Sequence, residues 1–513
     1  MALAFSVFLP YTLCMAKIEL GREDRAFLSL VSEAAFTNPF SERRAELNRE
    51  ISGRVKGDNW LQMVTQVTKR VQKKILELQE LGGRRIQDFR LEDQRIVTNA
   101  FLFDIYHTYN DAFDRIIQEQ IANDAETVSV PFAREALRTL KQRGFAPELA
   151  NRYFSLFFQI RRAFHFIHRG LLGESVSMCY LREQLWNHIF TCDMQLYEQG
   201  LWDRMEDFST LLLGPTGSGK GAAAGAIGRS GYIPFDEQKQ AFAKNFTRTF
   251  VPVNLSQYAE TLLESELFGH AKGAFTGAVA THKGLLSLCG KHGSIFLDEI
   301  GDVSPAVQVK LLKVLEERRF SSVGSHDSLT FYGRVIAATH RSLRELRQGG
   351  RFRDDFYYRL CSDCIEVPPL QQRIQEKPGE LDLMIAHTVH WILGHDNEAL
   401  CATVRRVIDQ RLGPDYHWPG NVRELAQCVR RVIIRRDYSG DPDMDPAEST
   451  DDLADQLRGG RLGAEELVSR YCVMLYQRFG TYEEVARRAN LDRRTAKRYV
   501  LLAKNGGTRE RSK

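Results

Sequence analysis

Apolar residues recur at three- and four-residue steps through the first 205 positions. In Trp60–Leu81, Val64, Val67, Val71, Ile75 and Leu78 fall on one helical face, with Lys and Arg between them. Phe101, Ile105, Tyr109, Phe113, Ile116 and Ile117 repeat the spacing, and Tyr153–Ile167 forms a third run dense in Phe. Gly82-Gly83, Pro131 and Gly170 punctuate these runs. Residues 1–205 are therefore expected to be a mainly α-helical region. Its aromatics are read as core packing, with the wall of a ligand pocket as the alternative. Strands do not alternate with helices around a carboxylate cluster here, which argues against a phosphoacceptor receiver domain. No residue in the region stands out as a chemical site.

The pattern changes at Ser209. Thr210–Leu213 is a short apolar strand running into a Gly-rich loop, and apolar strands then alternate with amphipathic helices to about residue 370. That alternation predicts a parallel sheet with crossover helices over 206–370. A helical stretch follows over 371–436. Residues 437–461 begin Asp437-Tyr-Ser-Gly-Asp-Pro-Asp-Met-Asp-Pro446 and read as a polar, turn-rich linker. A last helical unit is expected within 462–513.

Composition sharpens this picture in three places. With 513 residues, 43% hydrophobic and 27% charged, the chain can bury about three separate cores, and it is neither disordered nor a disulfide-stapled miniature. Nine scattered Cys read as reduced thiols, and the single CxxC at Cys361 and Cys364 has no second pair to complete a zinc site. No apolar run approaches the roughly 18 residues of a membrane span. The uncharged opening MALAFSVFLPYTLCMA lacks the basic start of a signal peptide, so Met15 is expected to be the true initiator and the protein to be cytoplasmic. Charge is uneven. Arg478–Lys513 holds eleven Lys/Arg against four Asp/Glu, a net of +7, which leaves −3 on the rest of a chain of net +4. A basic end on an acidic body is the footprint of a nucleic-acid-binding tail.

The chemistry concentrates in the α/β stretch. Gly214-Pro215-Thr216-Gly217-Ser218-Gly219-Lys220 follows a strand and opens a helix, so its backbone N–H groups can curl around phosphate oxygens while Lys220 reaches the outer phosphates. The next position, where such loops carry a Ser or Thr that helps hold magnesium, is Gly221. Ser294-Ile-Phe-Leu-Asp298-Glu299 is an apolar strand ending in two carboxylates, which would set Asp298 near a Mg2+ ion and Glu299 near an attacking water. Together these motifs point to hydrolysis of a nucleoside triphosphate.

Between them lies Glu266-Leu-Phe-Gly-His270, followed by Gly273-Ala274-Phe275-Thr276-Gly277-Ala278. This hexapeptide closely resembles the hallmark of sigma-54-dependent transcriptional activators, which are AAA+ ATPases, and the resemblance extends over about 206–436. It implies an AAA+ α/β core with a helical lid, ATP and Mg2+ as cofactors, and a homo-oligomer that closes into a ring, usually hexameric. That ring would remodel the closed complex of sigma-54 RNA polymerase holoenzyme into an open one. Phe275 and Thr276 would then touch the sigma factor, and an exposed Phe between glycines would be wasteful as core.

The resemblance also carries roles to single positions. Asn254 matches the asparagine that holds the catalytic glutamate, and Thr339 the first sensor near the γ-phosphate. The family commonly has Asn where His340 stands. Arg353 and Arg359 match two arginine fingers delivered from a neighbouring subunit, although ion pairs with Asp354 and Asp355 are the plainer reading. Arg423, in Trp418-Pro-Gly-Asn-Val-Arg423-Glu-Leu425, matches the second sensor in the lid. Ser321–Thr330, with Gly324, is expected to form a second surface loop beside the first. Two departures stand out: Gly221, where Glu is usual, and Pro368-Pro-Leu-Gln-Gln-Arg373, which is less charged than the family's run.

At the basic end, Thr481–Ala489, then Asn490-Leu-Asp492, then Arg493–Leu502 read as a helix–turn–helix of the Fis type that ends these activators. Val485, Ala486 and Ala489 are expected to pack on Ala496, Tyr499 and Val500. That leaves Arg493, Arg494, Lys497 and Arg498 facing outward for the major groove of double-stranded DNA upstream of a promoter, read as a palindrome by a dimer. The helical region would receive an unknown ligand or protein signal. Two rivals stay open: a DNA-binding regulator with an idle ATPase, and a remodeller of some other protein.

Overall fold

The computed structural model describes residues 17–53, 60–123, 127–348, 352–440 and 463–506. The expectations for the first sixteen residues, and for most of the 437–461 linker, fall outside them. The chain divides into two compact units, Met1–Tyr438 and Ser439–Lys513. Among the described residues no helix is long and apolar enough to cross a membrane.

The larger unit opens with helices, the longest being Trp60–Glu80, Leu91–Thr108 and Pro147–Gly170, followed by Arg22–Phe36 and Val176–Phe190 at equal length. Val67, Val71, Ile75 and Leu78 are buried on one face, as their spacing requires. The run from Phe101 to Ile117 is two helices, Leu91–Thr108 and Asn110–Ala122, because Tyr109 leaves helical geometry at φ −104 and ψ 8. Its ring stacks on Phe132 at 5.5 Å. Spacing reports which side of a segment is buried and is blind to a one-residue break in the hydrogen-bond ladder.

Five parallel strands follow: β1 Thr210–Leu213, β2 Phe250–Asn254, β3 Ser294–Asp298, β4 Arg334–Thr339 and β5 Asp363–Glu366. Their order across the sheet is β5-β1-β4-β3-β2. The register pairs Leu213 with Thr339 and Glu366, and Asp298 with Ala338 and Asn254. The carboxyl ends of the strands, where such sheets bind their ligands, thus lie along one edge.

Alternate strand residues face two cores. Leu211, Ile295, Leu297, Val335 and Ala337 pack with Leu311, Val314 and Phe356. Leu212, Phe296, Ile336, Ala338 and Ile365 pack instead with the helix Lys220–Gly228 and with Leu181, Leu185 and Ile189 of Val176–Phe190. The N-terminal helices therefore cover one face of the sheet. Packing crosses position 205 a second time at the hairpin Phe235–Asp236/Ala241–Phe242, where Phe242 stacks on Phe158 at 3.9 Å. Four helices from Leu370 to Arg435 complete the unit around their own core of Met384, Val404, Trp418 and Leu425.

The smaller unit contains the helices Ala464–Phe479, Tyr482–Ala489 and Arg493–Gly506.

Candidate active site

The loop after β1 can wrap tightly because it contains little but glycine and small side chains. Gly217 sits at φ +78, and a Cβ there would lie 2.3 Å from the carbonyl oxygen of Gly420 in the lid. The lid is seated on this loop by two hydrogen bonds. Val422 N donates to Gly217 O at 3.1 Å, and Asn421 Nδ2 donates to Thr216 O at 3.0 Å. Lys220, only 6% exposed, donates from Nζ to the carbonyls of Gly214 and Pro215 at 2.8 and 3.1 Å. Burial lowers its pKa, against the opposing charges of Glu299 and Asp298. The hydroxyl of Ser218 is buried without a hydrogen-bond partner. A Cβ at Gly221 would meet nothing within 4 Å.

Asp298 and Glu299 close the other side of the site. Asp298 Oδ1 accepts the Glu299 amide at 3.1 Å, and Glu299 takes a left-handed φ of 60° that turns its side chain away from the strand axis. Burial, and then the charge of Glu299, raise the Asp298 pKa, while Lys220 and Arg423 oppose the rise. Arg423 also depresses Lys220, so its charge is felt by both groups. Thr339 is fully buried at the end of β4, where its Oγ1 accepts the Arg341 amide at 3.1 Å.

The partner of Glu299 differs from the expected one. Asn254 lies beside Asp298 in the register, but its Oδ1 accepts the Ser256 amide at 3.0 Å and caps the turn that follows. Glu299 Oε2 is instead held by His340 Nδ1 at 2.7 Å, and the His340 amide also points to it at 3.4 Å. An Asn that ends a strand prefers to cap the turn that follows it, which frees the neighbouring strand end to take over the carboxylate. Sequence reading left His340 without a role. The only signal available was its place one residue after Thr339.

Arg353 forks onto Asp355 at 2.7 and 3.0 Å, and Arg359 donates to the Leu315 carbonyl at 2.9 and 3.1 Å. Within one chain, then, neither guanidinium is bonded to the site carboxylates. Of the two ion-pair partners considered, Asp355 is the one that Arg353 forks onto. Cys361 and Cys364 are free thiols, and among the described residues no group of three His, Cys, Asp or Glu could hold a metal. Asp298 can therefore offer one carboxylate to Mg2+, with the remaining ligands coming from phosphate oxygens and water.

A loop projects beyond the site from the helix Glu260–Phe268. Gly273 and Gly277 have φ of 79 and 103°, Gly273 N donates to Ala278 O, and Ala278 is tucked in. Phe275 stays 42% exposed, its ring edge against His270 at 5.0 Å. The second loop lies against the first. Ala271 N donates to Val323 O at 2.9 Å, and a Cβ on Gly324 would come within 2.6 Å of the Ala274 methyl.

Residues 195–366 match the family described as Sigma-54 interaction domain. This stretch is a sigma-54 interaction domain. The resemblance read from Gly273–Ala278 is thus borne out for the domain, and sigma-54 interaction domains are AAA+ ATPases. Similar proteins include the Nif-specific regulatory protein of Azotobacter vinelandii, 40% identical over 44% of this chain and 40% of that one. The transcriptional activator HyfR of Escherichia coli is 35% identical over 50% and 36%, and the regulatory protein ZraR of Klebsiella oxytoca 35% over 58% and 63%. The chain thus spans 36–63% of the length of these curated relatives. The smaller unit forms its own core from Val485, Ala486, Ala496 and Val500, with Ala489 and Tyr499 packed on it and Cys472 and Leu475 supplied by the first helix. Asp492 caps the last helix by accepting the Arg494 and Thr495 amides at 3.0 Å. Arg493 pairs with Glu483 at 2.7 Å, Lys497 lies over the Tyr482 ring at 5.8 Å, and Arg498 over Tyr499 at 5.1 Å.

Proposed function

We propose that the chain is an ATP-driven activator of transcription by sigma-54 RNA polymerase. Its C-terminal unit binds double-stranded DNA upstream of the promoter, and its sigma-54 interaction domain assembles into a ring. That ring uses ATP hydrolysis to remodel the closed polymerase complex into an open one, under the control of the N-terminal helices, in the cytoplasm.

The observation that carries this reading is the mounting of the Gly273–Ala278 loop. It leaves the helix Glu260–Phe268, which follows β2, and the last residue of β2 is in register with Asp298. A change at the nucleotide's outer phosphate therefore has a short, stiff route to an exposed Phe275. In the proposed reaction Glu299 takes the proton of the attacking water, while Lys220 and the loop amides carry phosphate charge. Thr339 and Arg423 sense the outer phosphate from the sheet and from the lid. Mg2+, held by Asp298, would neutralise charge on the phosphate oxygens. Arg353 and Arg359 act on the site of the next subunit, where a guanidinium accelerates comparable phosphoryl transfers by roughly 10³ to 10⁵. Arg493, Arg494, Lys497 and Arg498 serve the DNA contact at the start of the last helix.

The test is open-complex formation by sigma-54 holoenzyme on a supercoiled template, with full-length protein and ATP, recording phosphate release in the same tubes. Wild type should open the promoter, and Thr276→Ala should hydrolyse ATP without opening it. Hydrolysis without opening by either protein points to a different remodelled substrate. Absence of hydrolysis favours the second reading, a nucleotide-gated DNA-binding regulator, for which the missing side chain at Gly221 is the supporting observation.

A further inference from the structure

The N-terminal helices enclose a cavity of about 150 Å³ between Arg22–Phe36, Glu42–Ser52, Leu91–Thr108, Pro147–Gly170 and Val176–Phe190. Phe36, Phe157, Phe164 and Trp186 form much of its wall. An apolar cavity of about this size accepts a single benzene ring.

The charges around it do not cancel. Arg161 forks onto Asp114 at 2.5 and 2.6 Å, and Arg152 pairs with Glu198 at 2.5 Å. Burial, with the charges of Arg44 and Arg161 adding to it, holds His107 neutral at a pKa of about 3. Arg44 is the exception. Its Nη1 donates to the carbonyls of Ala34 and Thr37 and its Nε to Asn48 at 3.1 Å, but no carboxylate pairs with it among the described residues. Burial pushes its pKa down to about 10. A cation in such a wall is costly until a counter-charge arrives, and Nη2, the guanidinium nitrogen that makes none of these bonds, is left to donate to a carboxylate. Asn110 adds a second polar point, a buried Oδ1 with no partner. An unpaired acceptor repels a second anionic group, so the ligand carries one negative charge.

We propose that this cavity binds a small aromatic monocarboxylate, with the ring among the Phe and Trp side chains and the carboxylate on Arg44. The site is wired to the ATPase by one helix. Pro147–Gly170 presents Ile160 and Arg161 to the cavity. Its next residue, Arg162, donates to the carbonyls of Arg229 and Gly231, which follow the helix that Lys220 opens, both at 2.6 Å. Just past its end, Leu172 O accepts from Arg373 of the lid at 2.6 Å, and the Glu174 amide donates to Glu380 at 2.7 Å. Ligand binding itself does not depend on the transcriptional reading. Only its effect on hydrolysis does.

The probe is 4-fluorobenzoate, followed by fluorine NMR on the full-length protein with saturating ADP, so that the phosphate loop cannot take the anion. Saturable binding at roughly 1 mM or tighter is expected, with fluorobenzene at least about tenfold weaker. Ile160→Trp, which fills the cavity, should abolish binding while ADP affinity and melting temperature hold. Arg44→Gln should bring 4-fluorobenzoate down to the fluorobenzene level. No saturable binding to wild type, or undiminished binding to a folded Ile160→Trp, overturns the site. Equal binding of both probes, insensitive to Arg44→Gln, overturns the carboxylate. A change in phosphate release on saturation would add the coupling, and a protein that binds the probe but never hydrolyses ATP would count against the proposed function alone.

Discussion

Two glycines four residues apart, Gly217 in the phosphate loop and Gly221 in the helix it opens, should respond to the same methyl group in opposite ways. At Gly217 the backbone is at φ +78, where an L-residue is strained by about 1–2 kcal/mol. The added Cβ would also sit 2.3 Å from Gly420 O, a backbone atom that no rotamer change can move. Relief requires the lid to lift, which breaks the Val422 N to Gly217 O and Asn421 Nδ2 to Thr216 O bonds. At about 0.5–1.5 kcal/mol for each hydrogen bond, unseating the lid costs about 1–3 kcal/mol, while the backbone strain is common to the free and bound protein and falls on stability. If nucleotide binds with the lid seated, Gly217→Ala should weaken the affinity for a fluorescent ADP analogue at least about fivefold, since about 1.4 kcal/mol is tenfold. At Gly221 the backbone is ordinary helix and the Cβ points into open space, so Gly221→Ala should stabilise the helix by up to about 1 kcal/mol and leave affinity within about twofold. Affinity comes from polarisation titration and stability from denaturant unfolding of the same preparations. Gly217→Ala binding within about threefold of wild type would refute the reasoning, because lid seating would then contribute nothing to the site.

The bond from His340 to Glu299 is half-exposed, so its loss in His340→Ala should cost about 1 kcal/mol, a roughly fivefold fall in kcat with KM little changed; unaltered kcat would remove His340 from the site. Glu299→Gln should retain ATP binding and lose turnover by roughly 10² to 10⁴, and residual hydrolysis near wild type would exclude it as the base. His107 and His188 are depressed to about 3 and about 4, chiefly by burial, and so stay neutral in the folded chain where the unfolded chain takes up protons. Stability should therefore fall as pH drops from about 6.5 towards 4, at about 1.4 kcal/mol per pH unit for each residue. His107→Gln should flatten the denaturant midpoint's pH dependence, and an unchanged slope would contradict the assignment. Arg494→Ala with Lys497→Ala should weaken binding to an upstream DNA fragment and reduce its salt dependence by about 1 per lost phosphate contact, with unchanged anisotropy curves excluding the last helix as the DNA contact.

What the sequence made legible were the parts governed by local rules. Gly214–Lys220 was readable because the loop needs small residues where it meets other backbone, and Thr210–Leu213 because a strand buried on both faces is continuously apolar. The pairing of Val485 and Ala486 with Ala496 and Val500 followed from helical spacing, but the contribution of Cys472 and Leu475 from the preceding helix did not. Contacts between distant segments were invisible. Nothing near Phe154 or Phe158 announces that Phe235 and Phe242, some eighty positions later, complete their cluster. The role of His340 was hidden for a similar reason, since it depends on Asn254 turning to Ser256, a choice made on a different strand.

The way the N-terminal helices grip the ATPase limits how any signal can act. Their contacts are buried and charged. Arg162 lies over the Phe158 ring at 4.6 Å and holds the carbonyls that follow the phosphate-loop helix. Arg334 of β4 donates to His188 O at 2.9 Å, and His188 is bonded in turn to Asp363 of β5 at 3.0 Å. In the lid, Arg373 and Glu380, 3% and 0% exposed, pair at 2.7 Å and between them reach Leu172 O and the Glu174 amide. Full detachment would break all of these buried hydrogen bonds at once, each to a charged group and contributing about 1.5–3 kcal/mol, which lies beyond the differential affinity of a small ligand. A signal must therefore work with these bonds intact, through a small slide or rotation of Pro147–Gly170 that carries Arg162 and Leu172 together. The phosphate loop and the lid would then move relative to each other at the seat formed by Gly217 and Val422, the contact on which nucleotide closure depends.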